Sequence, residues 1–115
     1  MRKIIIAGNW KMNMDYNDAK SHYSAIIEGA VNSNRLDKVL IFPPFPYLMP
    51  LQEMIQKEFI HLGSQNVASE SSGAYTGEVS SSMIKSMGIN YTLVGHSERR
   101  AYFGETPDIL KKKVD

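Results

Sequence analysis

The sequence contains no cysteine, and that absence removes two classes of small protein. Without thiols, the chain has neither a disulfide framework nor a cysteine-based metal site, although it remains compatible with a cytosolic setting. Charge of one sign is also missing, because 13 Lys and Arg residues balance 12 Asp and Glu residues to a formal net charge of +1. This balance gives no electrostatic reason to expect a nucleic acid or an anionic membrane as partner.

Long apolar runs are absent as well. The N-terminal run Ile4–Ala7 is too short for the apolar region of a signal peptide and is followed by polar Asn9 and Lys11. No run approaches the length of a transmembrane helix. His22 and His61 have no partner at the spacing of a metal site, so we expect no bound metal. At 115 residues, the chain is one small domain or part of a larger one.

What the sequence does contain is an alternation of strand-like and helix-like segments. Short apolar runs predict four strands, at Ile4–Ala7, Val39–Phe42, Phe59–Gly63 and Tyr91–Val94. The first run is rich in β-branched residues, which is typical of a strand buried on both faces. This order predicts a parallel α/β sheet with right-handed crossovers. An open doubly wound sheet and part of a (β/α)8 barrel both remain possible, but no Gly-x-Gly-x-x-Gly follows the first strand, which disfavours a dinucleotide-binding fold.

Apolar residues at helical spacing predict three complete helices and a fourth that the end of the sequence truncates. The first helix has Asp15 or Asn17 as its cap and one apolar face, formed by Ala19, Tyr23, Ile26, Ile27 and Ala30. The second is opened by Pro46 and has an apolar face formed by Leu48, Leu51, Met54 and Ile55. The third covers roughly Val79 to Met87, and the fourth begins at Thr106–Pro107.

Lys11 and His96 are the residues most suggestive of chemistry. Each follows a strand-like run after a nearby glycine, at the position where α/β folds place functional side chains. A cation and an imidazole at one edge of a sheet suit a substrate that carries or develops negative charge. The alternatives are a solvated surface lysine and a histidine bonded to the backbone.

Five tracts in order carry a resemblance to a known family. They are Gly8–Asn13, Phe42–Pro44, Leu62–Asn66, Ser72–Glu78 and Val94–Arg100. On these motifs the chain resembles the N-terminal part of the triosephosphate isomerase family. The resemblance implies a (β/α)8 TIM barrel of about 250 residues, with residues 1–115 as the first four βα units of a single domain. It also implies a cytoplasmic homodimer that interconverts dihydroxyacetone phosphate and glyceraldehyde 3-phosphate through an enediolate, without a cofactor.

The resemblance also implies roles for the residues at the strand ends. Lys11, His96 and Asn9 are the catalytic residues, and Lys11 and Asn9 also bind the substrate. The Lys11 ammonium attracts the phosphate and stabilises the developing enediolate, while Asn9 donates to a substrate oxygen or positions Lys11. His96 acts as a neutral imidazole that donates to the carbonyl oxygen, and the positive end of a helical turn beginning at Ser97 disfavours the imidazolium. Ser97 and Glu98 have supporting roles, with Glu98 paired to Lys11. An ordinary solvated glutamate is the alternative for Glu98.

A Ser- and Gly-rich loop is expected to reach a partner subunit. By resemblance, its interface residues are Gln65, Asn66, Tyr75, Thr76, Gly77 and Glu78. Tyr75 favours this interpretation, because aromatic anchors are common at interface cores. The alternative is a flexible loop without a partner.

The family's proton-abstracting glutamate lies on a loop after the sixth strand, outside this sequence. Because proton abstraction needs a positioned base, we expect residues 1–115 alone to be inactive. The alternative function is a non-catalytic half-barrel that self-associates through its unpaired sheet edges. A weaker alternative is a remnant that only binds a phosphate sugar.

Overall fold

The computed structural model describes residues 2–54 and 57–115. Within these ranges, parallel strands form a sheet in the order β1-β2-β3-β4. The strands are β1 (Ile5–Asn9), β2 (Lys38–Phe42), β3 (Ile60–Ser64) and β4 (Tyr91–Thr92). Their register places Ile5 opposite Lys38, Val39 opposite Ile60 and Gly63 opposite Tyr91. The predicted parallel α/β sheet is therefore confirmed.

Helices connect and follow these strands. They are α1 (Tyr16–Val31), α2 (Leu48–Met54) after a 3₁₀ turn at Phe45–Tyr47, α3 (Ser81–Ser86), α4 (Ser97–Tyr102) and α5 (Pro107–Val114). The Thr106 hydroxyl accepts a hydrogen bond from the Ile109 backbone N–H, which confirms the predicted start of the last helix. Asp15 occupies the cap position of α1, but its side chain makes no capping bond.

The core lies between the helices and one face of the sheet. Its α1 members are four of the five predicted residues, Ala19, Tyr23, Ile27 and Ala30, with Ile26 half-buried beside them. Leu48 and Leu51 of α2 are fully buried in the same cluster, with Val39, Ile41 and Leu62 from the strands. Ile55, the last predicted residue of the second helical face, lies outside the described residues. Because the helices cover one face of the sheet, the side chains that point to the opposite face are not part of this core.

The prediction that the first strand is buried on both faces is wrong. Ile4, Ile5 and Ile6 are 46%, 54% and 50% exposed. The reason is position, because β1 pairs with β2 alone among the described strands and so forms an edge of the sheet. The strand is also displaced from its predicted bounds and runs to Asn9, beyond which the Trp10 backbone N–H still donates to the Phe42 carbonyl at 3.1 Å.

The fourth strand and its neighbouring helices also differ from the predicted bounds. β4 ends at Thr92 rather than Val94, although the Leu93 N–H donates once more to the Ser64 carbonyl at 2.8 Å. The third helix covers only Ser81–Ser86, begun by the Ser80 hydroxyl, which accepts from the Met83 N–H. The stretch after His96, expected to be turn-rich and to begin with a short helical turn, forms the six-residue helix α4. α4 begins directly after His96, one of the predicted site residues.

Candidate active site

The C-terminal ends of β1, β2 and β3 meet through one side chain. Gln65 follows β3, and its amide nitrogen donates to the carbonyls of Lys11 and Phe42, at 2.8 Å each. Lys11 follows β1, and Phe42 is the last residue of β2. Parallel strands place their C-terminal ends at one edge of a sheet, and the functional residues predicted from sequence lie at this edge.

Lys11 has an unusual backbone conformation. Its φ angle is +57°, in the left-handed region that costs a non-glycine residue about 1–2 kcal/mol. The Asn9 side-chain oxygen accepts from the Lys11 N–H at 2.9 Å, while Gln65 bonds the Lys11 carbonyl. Hydrogen bonds on both sides of the residue therefore compensate for the strained conformation.

The Lys11 ammonium points at Glu98. Its Nζ lies 2.7 Å from Glu98 Oε1, and both side chains are partly exposed. The hydrogen bond and charge of Glu98 raise the pKa of Lys11 above its ordinary value of 10.5. The same hydrogen bond lowers the pKa of Glu98 below 4.5. Both groups are therefore charged at neutral pH, and the pair fixes the direction of the ammonium more than it stabilises the fold.

His96 lies at the N-terminus of α4 with one ring nitrogen occupied. Its Nδ1 accepts a hydrogen bond from the Glu98 backbone N–H at 3.1 Å. A nitrogen that accepts carries no proton, so a neutral ring in this position bears its hydrogen on Nε2. The Glu98 carboxylate lies 3.7 Å from Nδ1, which is too long for a hydrogen bond. The geometry thus leaves Nε2–H as a donor.

Glu98 contacts both functional groups through different atoms. Its carboxylate holds the Lys11 ammonium and its backbone N–H holds the His96 ring. A carboxylate with a lowered pKa is a weak base, so Glu98 suits a supporting role rather than proton abstraction. Ser97, the other predicted supporting residue, opens α4 and is exposed. Together these groups can bind an anion and stabilise a developing oxyanion.

The predicted interface residues fall into two groups. Gln65 and Asn66 are bonded inside the chain, at the edge where the strands end. Tyr75, Thr76, Gly77 and Glu78 lie on an exposed loop, whose turn is closed by the Glu78 N–H bonding to the Tyr75 carbonyl at 3.0 Å. Across the described ranges, no hydrogen bond or ion pair joins this loop to Lys11 or His96.

Sequence reasoning missed a buried polar network beside the site. The Lys113 ammonium donates to Glu105 Oε2 and, at 2.7 Å, to Asn66 Oδ1. Arg99 Nε donates to the same Glu105 oxygen at 2.9 Å. The side chains of Lys113 and Glu105 are only 5% and 4% exposed. No local pattern signals this network, because Asn66 lies 47 residues before Lys113 in the sequence.

Glu105 is held in its charged form by this network. Burial raises the pKa of its carboxyl, but hydrogen bonds from Lys113 and Arg99, with their charges, outweigh burial and lower it below 4.5. The second oxygen, Oε1, is buried and has no hydrogen-bond partner in the described part of the chain. An ion pair this deeply buried makes the loss of either member costly.

Residues 2–54 and 57–115 lack two kinds of feature. They contain no group of three or more His, Cys, Asp or Glu residues that could hold a metal ion. They also contain no helix that is long and apolar enough to cross a membrane.

Comparison with known proteins gives a consistent result. The model of the triosephosphate isomerase family matches residues 4–115. The triosephosphate isomerases of Carboxydothermus hydrogenoformans and Bacteroides fragilis (strain ATCC 25285) are 44% and 45% identical to the chain over 114 residues. That of Colwellia psychrerythraea is 47% identical over 117 residues. These alignments cover 98–99% of this chain but 45% of each relative, so the chain spans under half their length.

Proposed function

Because the chain belongs to the triosephosphate isomerase family, we propose that residues 1–115 are the N-terminal part of a single TIM-barrel domain that isomerises triose phosphates. The parallel sheet described above is that of a half-barrel. The proposed reaction interconverts dihydroxyacetone phosphate and glyceraldehyde 3-phosphate through an enediolate, as the names of the relatives imply. This assignment makes the protein an isomerase of glycolysis and gluconeogenesis.

The observation that carries the proposal is the pair of contacts made by Glu98. Its carboxylate directs the Lys11 ammonium, and its backbone N–H occupies Nδ1 of His96, so that a neutral ring carries its hydrogen on Nε2. An ammonium and a neutral N–H donor together match a substrate that bears a phosphate and develops an oxyanion.

In the proposed mechanism, Lys11 and His96 stabilise negative charge on the substrate and do not themselves remove the proton from carbon. The Nε2–H of His96 donates to the substrate carbonyl oxygen, which gains negative charge as a proton leaves the adjacent carbon. The Lys11 ammonium stabilises that charge and attracts the phosphate, and Asn9 fixes the Lys11 backbone. The carbon-bound proton goes to a carboxylate base that the family carries on a later loop.

The proposal extends to partners and setting. The substrate is a triose phosphate, no cofactor is needed, and the whole protein is a cytoplasmic homodimer. The exposed loop from Tyr75 to Glu78 is proposed to enter the partner subunit, with Thr76 approaching the neighbouring active site. Tyr75, which is 50% exposed on this loop, supports the proposal as a candidate aromatic anchor of the kind common at interface cores.

Residues 1–115 alone are proposed to be inactive, because they lack the carboxylate base. The second candidate function is a half-barrel that only self-associates. The exposed isoleucines of β1, with an edge unpaired among the described strands, favour that alternative for the isolated polypeptide.

The test of the isomerase proposal is the substitution Lys11→Met in the full-length protein. This change removes the ammonium but retains most of the side-chain volume. We expect kcat/KM for glyceraldehyde 3-phosphate to fall by at least about 10²–10³-fold, as when a preorganised charge-stabilising group is lost. The coupled isomerase assay measures this directly.

Lys111→Met is the matched control. Lys111 also pairs with a carboxylate, Asp115, at 2.9 Å, but on the exposed face of α5. Its replacement should leave kcat/KM within about twofold, because exposed pairs contribute little. Near-native turnover by the Lys11→Met enzyme would refute the assignment.

A further inference from the structure

Gln65 performs a task at the strand ends that a role in an exposed interface loop does not explain. Its side-chain nitrogen donates two hydrogen bonds within the chain, to the carbonyls of Lys11 and Phe42. The Phe42 carbonyl also accepts from the Trp10 N–H at 3.1 Å. The Gln65 amide therefore joins the ends of β1 and β2 at the point where Lys11 leaves the sheet.

The position of Gln65 is itself fixed. The next residue, Asn66, is buried, and its Oδ1 accepts from the buried Lys113 ammonium at 2.7 Å. Lys113 in turn is held by Glu105, which also binds Arg99 of α4. Gln65 is therefore adjacent to a buried hydrogen-bond network that includes Arg99 of α4, the helix that also carries Glu98.

The bond from Gln65 bears on the strained part of Lys11. At φ +57°, the Lys11 backbone returns to an ordinary conformation unless its neighbours prevent it. Asn9 holds the N–H side and Gln65 holds the carbonyl side. Without the second bond, only Asn9 restrains the Lys11 backbone, and the ammonium is held less firmly in its approach to Glu98.

We infer that Gln65 is a positioning residue, which holds Lys11 in its left-handed conformation and so directs the ammonium at the negative charge of the substrate. This inference rests on the proposed isomerase function. Gln65 acts through Lys11 and does not itself touch the substrate. An uncharged amide suits the task, because both of its partners are carbonyl oxygens.

The first experiment replaces Gln65 with methionine in the full-length protein. The change retains length and volume but removes both hydrogen bonds. We expect kcat/KM to fall about tenfold, since displacing a functional group by about 1 Å can cost as much as 10²-fold. Gln52→Met is the control, because Gln52 also donates to a carbonyl, that of Gly88 at 3.2 Å, and should change kcat/KM by less than twofold.

The second experiment separates positioning from general stability. In the Lys11→Met background, the Gln65→Met change should cause no further loss of kcat/KM, because the group it positions is gone. A second tenfold loss in that background overturns the inference. Thermal melting identifies any variant that fails to fold, and Gln65→Asn, which keeps the amide but shortens its reach, then takes its place with the same expectation.

A crystal structure of the Gln65→Met protein gives a result that does not depend on turnover. We expect the Lys11 φ angle to leave the left-handed region, or Lys11 Nζ and Glu98 to move beyond ion-pair distance. Unchanged geometry with unchanged kcat/KM overturns the inference and leaves the proposed function intact. A full-length wild-type protein without isomerase activity instead overturns the proposed function and the catalytic part of the inference together.

Discussion

Glu98 contacts both of the residues that carry the proposed chemistry, Lys11 and His96. Its carboxylate bonds Lys11 and lowers its own pKa in doing so, while its backbone N–H bonds His96. The ion pair persists while Glu98 is ionised and Lys11 is protonated. Because the pKa of Glu98 is lowered and that of Lys11 is raised, this window extends below pH 4.5 and above pH 10.5. The ammonium is therefore present throughout the physiological range.

The hydrogen bond to His96 predicts a single tautomer. In the full-length protein, nitrogen-15 NMR of the imidazole at neutral pH should show Nδ1 without a proton and Nε2 protonated, because Nδ1 accepts from the Glu98 N–H. Glu98→Gln is the control, since it retains that backbone donor and should leave the tautomer unchanged. A proton on Nδ1 at neutral pH would contradict the proposed donor role of Nε2.

Sequence and structure diverge in an informative way at these residues. The positions of Lys11 and His96 after strands were predictable, because a short apolar run followed by a polar tract marks the C-terminal end of a strand. The left-handed conformation of Lys11 was not, since it depends on a hydrogen bond from Gln65, which is distant in the sequence. Local propensity assigns such a conformation to glycine, and only tertiary contacts hold a lysine in it.

At the level of secondary structure elements, the Glu105 network joins α4, α5 and the end of β3. Arg99 comes from α4, Lys113 from α5 and Asn66 from the segment after β3. Two of these residues adjoin groups that orient Lys11, because Asn66 follows Gln65 and Arg99 follows Glu98. The network therefore sets the orientation of the elements on which the site depends.

Loss of the Glu105 charge should destabilise the fold strongly. For Glu105→Gln in the full-length protein, we expect the free energy of unfolding to drop by about 3–5 kcal/mol, because Lys113 remains buried without a counter-ion. Urea denaturation at pH 7 measures the change. Asp115→Asn, which removes an exposed carboxylate bonded to Lys111, should cost under about 1 kcal/mol. Equal losses in the two variants would refute the structural importance of the network.

The pH dependence of this effect has a definite sign. The folded-state pKa of Glu105 lies below its ordinary value of 4.5, so its contribution to stability is complete above that value. It is lost as the pH falls through the folded-state pKa. The difference in unfolding free energy between wild type and Glu105→Gln should therefore shrink only below about pH 4.5. A difference that shrank between pH 5 and 7 would mean that Glu105 is not held ionised.

The elements themselves were predictable to different degrees. Helix α5 begins as Thr106–Pro107 predicted, because a capping hydroxyl and a proline at the first helical turn are local signals. α4 was expected only as a short helical turn, since its tract carries charged residues without an apolar face. β4 is shorter than its apolar run, because its length is set by pairing with β3 rather than by composition. Contacts between distant segments account for the remaining differences.

For the whole molecule, the main feature is an open sheet. β1 is an edge strand among the described residues, and its isoleucines are half-exposed although their β-branched run is typical of a buried strand. Sequence predicted the unpaired edges through the family resemblance, but it could not show which apolar side chains they leave uncovered. Such an edge favours pairing with another strand.

A polypeptide of residues 1–115 should be inactive and should associate beyond a monomer. Light scattering across concentration measures its mass, and the coupled assay measures turnover. Ile5→Glu should reduce association, because it places a charge on the exposed strand while remaining opposite Lys38 in the register. Val114→Glu, an equally polar change on the exposed end of α5, should not. A compact monomer at high concentration would refute the open-edge interpretation, and turnover above the buffer rate would refute the missing-base argument.

The two contacts of Glu98 also couple the positions of Lys11 and His96 to each other. Lys11 and His96 come from distant parts of the chain, yet each is bonded to the first turn of α4. A small displacement of that turn carries the ammonium and the imidazole in the same direction, so their separation varies less than either position does. The spacing between the two functional groups therefore depends on one short helical turn rather than on two separate attachments.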